Sequence, residues 1–358
     1  MMPAVTIAGR RIGPGHPPYI ICELSANHGG KLERALELVD AAAATGADAI
    51  KIQTYTPDTL TIDHAGAEFR IKGGLWDGYT LYDLYKEAYT PYEWHPAIME
   101  RARRHGITLF STPFDDSAVE LLSKLDVPAY KIASFEAIDL PLIARVAREG
   151  KPMIISTGMT DVAEIGEAVA TARGAGASEL VLLHCVSTYP AKYQNANLRT
   201  IADIAERFGA VTGLSDHTPG TACSVTAVAL GANVIEKHFT LRRADGGPDS
   251  AFSLEPEEFR RLVDDCRNAW LSIGSVDYSR SEEERGSRVF RRSLYVVADI
   301  AAGETLTTAN VRSIRPGFGL APKFLPDIVG RQAARSLKRG HALAWEDLAP
   351  AESRPVSI

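Results

Sequence analysis

Eight short apolar runs follow one another along the chain, and each ends in a few polar residues able to do chemistry. His217 sits near the end of VTGLSDHT (211–218) and His238 near the end of NVIEKHFT (233–240). Neutral imidazole is the commonest side-chain metal ligand, and two from neighbouring strand ends can grip one divalent cation. With no third protein ligand, coordination positions stay open for substrate or water, as Lewis-acid catalysis requires. A pair of hydrogen-bonded structural histidines is the alternative. His184, deeper within LVLLHCVSTYP (180–190), reads as structural or as a support behind a site residue.

A second group joins Lys51 in AIKIQTY (49–55), Thr112 in ITLFSTPF (107–114), and Lys131 with Ser134 in AYKIASFE (129–136). Ser156 in MIISTG (153–158) and Ser215 complete it. A lysine inside an apolar strand is costly unless an anion meets it. Ammonium groups surrounded by hydroxyl donors make a cradle for a phosphate or carboxylate. Schiff-base chemistry, or a lysine stem reaching out to solvent, uses the same residue type differently. Glu23, in YIICELSANH (19–28), can bind a cation, orient a hydroxyl or stabilise developing positive charge. Its structural alternative is an ion pair with Lys51. Gln53, Glu136, Tyr189 and Asp249 are further candidates for holding a polyhydroxylated substrate. Neither G-x-x-x-x-G-K nor a G-x-G-x-x-G following a strand occurs.

Helix-like segments separate these runs: 31–47, 91–106, 116–126, 140–150, 162–176 and 197–209. In the first, Leu32, Leu36, Val39 and Ala43 fall on one face before Gly46. Strand alternating with helix implies parallel pairing through right-handed crossovers. Reactive residues after nearly every strand favour closure into a TIM (β/α)8 barrel, whose strand C-termini share one mouth. A doubly wound open sheet, with its site at one switch point, is the competing topology. AVTIAGRRIGPGHPPYI (4–20) reads as a hairpin at the barrel floor. The long second connection (56–90) reads as a lid or substrate contact. The expected barrel spans 1–274, with a closing helix at 255–274. A charged linker follows at 275–288, then a small β-rich domain at 289–350.

The 358 residues are 45% apolar and 23% charged, ordinary values for a globular protein. A net charge of −6 argues against general nucleic-acid or anionic-membrane binding. No membrane-length apolar run is present, and the N-terminus lacks the apolar core of a secretion signal. Cys22, Cys185, Cys223 and Cys266 form no C-x-x-C pair, and Cys22 and Cys185 read as small core hydrophobes. A reduced, cytoplasmic protein is expected.

The motifs E-L-S-A-N-H (23–28), K-I-Q-T-Y (51–55), S-T-P-F (111–114), Y-K-I-A-S-F-E (130–136), S-T-G (156–158), G-L-S-D-H-T (213–218) and E-K-H-F-T (236–240) together resemble the sialic acid synthase family of nonulosonic acid synthases. R-P-G-F-G (315–319) resembles the family's antifreeze-like SAF domain, a β-clip fold. The resemblance implies metal-dependent condensation of phosphoenolpyruvate with an acetamido-sugar aldehyde and water, releasing phosphate. It implies that His217 and His238 hold Mn²⁺, or Mg²⁺ or Co²⁺. It further implies that Lys51, Thr112, Lys131, Ser134, Ser156 and Ser215 receive phosphoenolpyruvate, and that Glu23 stabilises the cationic intermediate. Gln53, Tyr189 and Asp249 would hold the sugar, with Arg315 supplied by the partner in a domain-swapped homodimer. I-K-G-G-L-W-D-G (71–78), T-P-Y-E-W-H (90–95), S-T-Y-P (187–190) and R-P-G-F-G-L-A-P-K-F (315–324) resemble the branch that makes pseudaminic acid, a sugar of flagellin glycosylation. The sugar implied is 2,4-diacetamido-2,4,6-trideoxy-L-altrose. N-acetylneuraminate or legionaminate synthesis is the alternative within the family, and a Schiff-base aldolase the alternative outside it. Members that make sialic acid usually carry Asn where Ser187 stands.

Overall fold

Along a strand buried on both faces, successive side chains point to opposite sides of the sheet, so closure decides which residues enter the barrel. In the computed structural model, which describes residues 4–350, eight parallel strands close in the order β10-β3-β4-β5-β6-β7-β8-β9. A two-stranded hairpin, β1 (Val5–Ile7) and β2 (Arg10–Ile12), precedes them. The barrel strands are β3 (Tyr19–Glu23), β4 (Ala49–Thr54), β5 (Thr108–Pro113), β6 (Tyr130–Ile132), β7 (Met153–Ser156), β8 (Leu180–Cys185), β9 (Val211–Asp216) and β10 (Val234–His238). The expected (β/α)8 barrel is therefore present, and the open sheet is excluded.

Helices α1 (Leu32–Ala44), α2 (Pro57–Leu60), α3 (Leu81–Ala88), α4 (His95–His105), α5 (Asp116–Lys124), α6 (Leu140–Ala147), α7 (Val162–Gly174), α8 (Thr200–Phe208), α9 (Ala222–Ala229) and α10 (Pro256–Ile273) follow in chain order. The long second connection holds α2 and α3. At 91–106 the helix itself starts only at His95, after a 3-10 turn at Tyr92–Trp94. Side-chain caps set several starts: Asp115 accepts from Ser117 N and Ala118 N, and Asp161 forms a capping box with Glu164. Along α1 the buried stripe is Ala35, Leu38, Val39 and Ala42, while Leu32 and Leu36 pack only partly buried. That stripe is rotated from the face the sequence suggested. The α9 helix was absent from the sequence expectation; its ACSVTAVA carries no polar face to generate a helical period.

Two apolar clusters record the alternation. Ile20, Ile50, Ile132, Ile155, Leu182, Leu214 and Ile235 pack outward with the helices. Tyr19, Ile21, Ala49, Phe110, Ala129, Ile154, Leu183, Val211 and Val234 pack inward, together with Val5, Ile7 and Ile12 of the hairpin. The hairpin thus closes the lower interior as expected. Gly213 holds a place in this packing: a Cβ there would overlap the Val234 carbonyl and crowd Leu183.

The chain divides into two compact units at Gly274/Ser275. In the second, β11 (Ser293–Val296) pairs antiparallel with β12 (Val311–Ile314), and isolated bridges extend the pairing. Its own core comprises Leu294, Val296, Ile300, Leu306, Val311 and Leu343 among others.

Gly213→Ala should destabilise the barrel by roughly 1–3 kcal/mol, the usual cost of overpacking a core. A urea midpoint equal to that of the unsubstituted protein would contradict this packing.

Candidate active site

Above the apolar layers the inward positions change character. Two residues beyond Ile21 comes Glu23; two beyond Ala49 comes Lys51; Phe110 leads to Thr112, Ala129 to Lys131 and Ile154 to Ser156. On β9 and its extension the inward series is Val211, Gly213, Ser215, His217; on β10 it is Val234, Glu236, His238. The period of two therefore delivers every strand-borne candidate to the same mouth.

At its centre Lys51 Nζ lies 2.6 Å from Glu23 Oε2 and 3.4 Å from Glu236 Oε1. It also donates to Thr112 Oγ1 at 3.2 Å. Ser215 Oγ donates to Glu236 Oε1 at 3.3 Å, and Ser25 N donates to Glu23 Oε1 at 2.9 Å. All three charged groups are buried. Burial raises the Glu23 pKa to about 7, with Lys51 opposing and the Glu236 charge adding to the rise. Burial acts on Glu236 in the same sense, but Lys131 and Lys51 together hold it below the usual range. Lys131 is drawn down to about 8, chiefly by burial; its amine donates to Ile132 O at 2.8 Å.

Beside this cluster lies a row of hydroxyls. Gly158 N donates to Ser134 Oγ at 3.1 Å, and a Cβ on Gly158 would collide with Ser187 Oγ and Ser134 Oγ. The glycine keeps this concavity open. Ser156 Oγ is buried with no hydrogen-bond partner among the described residues. Unmet donors beside ammonium groups are what an anion's oxygens would satisfy.

The two histidines face one another across β9 and β10, with ring centroids 5.4 Å apart. His217 Nδ1 lies 3.0 Å from Val186 O, which can only accept, so Nδ1 carries a proton and Nε2 is the nitrogen left for a ligand. Burial opposes charge on the ring, but Cys185 and the bond to Val186 raise its pKa. His238 Nδ1 is buried without a partner among the described residues, and burial holds its pKa well below the ordinary value. An orphaned neutral imidazole beside a second, fixed one fits a divalent cation. Among the described residues no three His, Cys, Asp or Glu side chains form a metal cage, so the pair would leave coordination positions to substrate and water. Cys185 is buried as expected, but it is not inert packing. Its Sγ lies 3.8 Å from His217 Nδ1 and 3.7 Å from Ser187 Oγ. Burial would raise its pKa, but His217 and hydrogen bonds with His217, Ser134 and Ser187 bring it down to about 7.

Aromatic rings wall the histidines. Tyr189 meets His217 in a tilted contact at 4.4 Å, Phe252 meets His238 at 4.9 Å, and Trp76 of the long second connection meets Tyr189 at 5.5 Å. Trp76 Nε1 donates to Pro248 O at 2.9 Å, which ties that connection to the segment after β10. Asp249, in the same segment, accepts from Ser25 Oγ, to which Gln53 Nε2 donates at 3.3 Å. Glu136 Oε2 is buried without a partner among the described residues, and burial raises its pKa to about 7.

Each strand-borne candidate, with Ser134, Gln53, Tyr189 and Asp249, thus belongs to one mouth. His184 faces outward and bonds Ala196 O at 2.7 Å, a structural role. Arg315 lies in the second unit, exposed. Glu236 is the residue sequence reasoning missed; standing two before His238, it shares that residue's face by strand period alone.

A closed β/α barrel carrying this mouth, followed by a small β-rich unit, defines an enzyme of the (β/α)8 class. The NeuB family model matches residues 38–278 and a SAF domain model matches 291–349. The chain is 47% identical to a pseudaminic acid synthase of Campylobacter jejuni, over 92% of this chain and 96% of that one. It is 43% identical to a pseudaminic acid synthase of Helicobacter pylori, covering 93% and 98% respectively. A crystal structure of the N-acetylneuraminic acid synthetase from Leptospira borgpetersenii superposes with a TM-score of 0.71 at 31% identity. That superposition covers 80% of this chain and 95% of the other. The chain belongs to the NeuB family.

Lys51→Met would leave buried Glu23 without its nearest counter-charge and Glu236 with Lys131 alone. A loss of roughly 3–5 kcal/mol in unfolding free energy is expected, as for removal of one partner of a buried pair. A denaturant midpoint within error of the parent would show that the ion cluster is not held as described.

Proposed function

We propose that the chain is a pseudaminic acid synthase, condensing phosphoenolpyruvate with 2,4-diacetamido-2,4,6-trideoxy-L-altrose and water to give pseudaminic acid and phosphate. The observation that carries the reading is a likeness of 47% extending over 92% of the chain to a synthase of that name. The convergence of an imidazole pair with a lysine-and-hydroxyl cluster supports the chemistry.

In this reading Lys51, Lys131, Thr112, Ser134, Ser156 and Ser215 bind the phosphate and carboxylate of phosphoenolpyruvate, with Gly158 keeping their concavity open. Gln53, Tyr189 and Asp249 orient the sugar. His217 and His238 would hold a divalent cation such as Mn²⁺, Mg²⁺ or Co²⁺, which when bound supplies polarisation of the sugar aldehyde. C3 of phosphoenolpyruvate then forms a bond to the aldehyde carbon, and positive charge develops at C2. Ionised Glu23 stabilises that charge in a mouth from which aromatic side chains exclude water. Water adds at C2, one of its protons passing through Glu23 to the former aldehyde oxygen, which becomes a hydroxyl. The C2–O bond to phosphate then breaks, the second proton leaving the C2 hydroxyl for the phosphate as the ketone forms. Trp76, Tyr189 and Phe252 offer apolar faces suited to a deoxy, acetamido-bearing sugar. The reading extends to a cytoplasmic homodimer in which Arg315 of a second copy donates to the sugar's acetamido group.

Phosphate release should require phosphoenolpyruvate, the 2,4-diacetamido sugar and Mn²⁺, and should stop with EDTA. Turnover of N-acetylmannosamine alone would overturn the sugar assignment, and borohydride trapping of an imine at Lys131 would overturn the metal route. Glu23→Gln should lower turnover by roughly 10²–10⁴-fold, the range for a positioned acid or base. The pH profile of kcat/KM should fall below about 7, as Glu23 gains its proton, and above about 8, as Lys131 loses its own. Lys131→Arg, with a guanidinium that stays charged, should remove the alkaline limb while leaving the acid one.

A further inference from the structure

The two strands that present His217 and His238 inward carry a charged pair on their opposite face. Asp216 and Lys237 are register partners on β9 and β10, and their side chains meet at 2.8 Å with about 1% of each exposed. By strand alternation they project outward, into the layer where Leu214 and Ile235 pack against helices. A buried ion pair in an apolar layer is rarely a source of stability, since its desolvation offsets its attraction. Its hydrogen bonds show what it holds instead. Asp216 Oδ1 accepts from Thr218 N at 2.9 Å and from Thr218 Oγ1 at 2.7 Å. Asp216 Oδ2 accepts from Ser224 Oγ of α9 at 2.6 Å, while Lys237 Nζ also donates to Thr218 O at 2.6 Å.

Both backbone polar groups of Thr218 are therefore fixed by side chains from two strands, and His217 is enclosed between clamped neighbours. His238 directly follows Lys237. The clamp joins the two strand ends at the level where their imidazoles stand. We infer that the Asp216–Lys237 pair is a positioning device: it sets the separation and aim of His217 and His238, and through them the affinity for the divalent cation. The inference rests on the proposed metal role of the two histidines. The pair touches no substrate and acts only through the backbone of residues 216–218 and 237–238. Groups that orient metal ligands from outside usually carry roughly 10–100-fold in metal affinity or activity.

The test is Mn²⁺ binding to the full chain without substrates, read by the loss of the free-ion electron paramagnetic resonance signal. Folded fraction is followed by circular dichroism. Lys237→Met should raise the Mn²⁺ Kd roughly 10–100-fold on the folded protein. In Asp216→Leu/Lys237→Met both charges are removed, so the double variant should regain thermal stability without regaining Mn²⁺ affinity. That split is what a merely structural pair would not produce. If either variant, once folded, binds Mn²⁺ as the parent does, the positioning role is wrong. Should the single variant fail to fold, the double variant decides alone. His217→Ala separates the two readings: parent and His217→Ala binding Mn²⁺ equally would remove the metal assignment itself, and the inference with it.

Discussion

A lysine ammonium buried between two carboxylates is the interaction on which the candidate site depends. Lys51 stands between Glu23 and Glu236 at the top of a closed barrel whose lower layers are apolar. None of the three could stay ionised there alone, because desolvation of a single charge far exceeds what packing returns. Lys131 adds a second cation, so two carboxylates and two ammoniums share the layer. Burial leaves Glu23 near 7 and Lys131 near 8, which makes these two the members of the four-charge layer most able to change charge near neutrality.

Closure of the sheet makes this crowding tolerable. Eight strands, each buried on both faces, present one residue in two to the interior, and the hairpin fills the floor beneath. Chemistry is confined to the upper inward positions because the lower ones are occupied by Tyr19, Phe110, Ile154 and their neighbours. The outward positions do different work. His184 bonds a backbone carbonyl and Asp216 pairs with Lys237, so the same strands carry reactive groups inside and fastenings outside.

Much of this was legible in the chain. Apolar runs tipped with Glu23, Lys51, Lys131, Ser215, His217 and His238 pointed to a barrel mouth, and the mouth is where the structure brings them. Strand endings are easy to read because apolar runs stop abruptly there. Glu236, Asp216 and Lys237 escaped notice, since within a run of mixed polarity nothing marks a carboxylate as inward or a lysine as outward until the register is known. The α9 helix escaped for a related reason: a segment of Ala, Val, Ser and Thr has no polar stripe to reveal its period. Cys185 looked like packing because a thiol in an apolar run gives no hint of an imidazole 3.8 Å away on the next strand.

The order of residues was enough to establish that strands and helices alternate, that reactive groups cluster at strand tips, and which family the motifs resemble. Local polarity and spacing carry that information, because period and turn chemistry are short-range properties. Which strand neighbours which, and hence that His217 faces His238 while Glu236 shares Lys51 with Glu23, came only with the closed sheet. Those contacts join residues far apart along the chain, and their distances and the displacement of their pKa values arise from burial that no local pattern encodes.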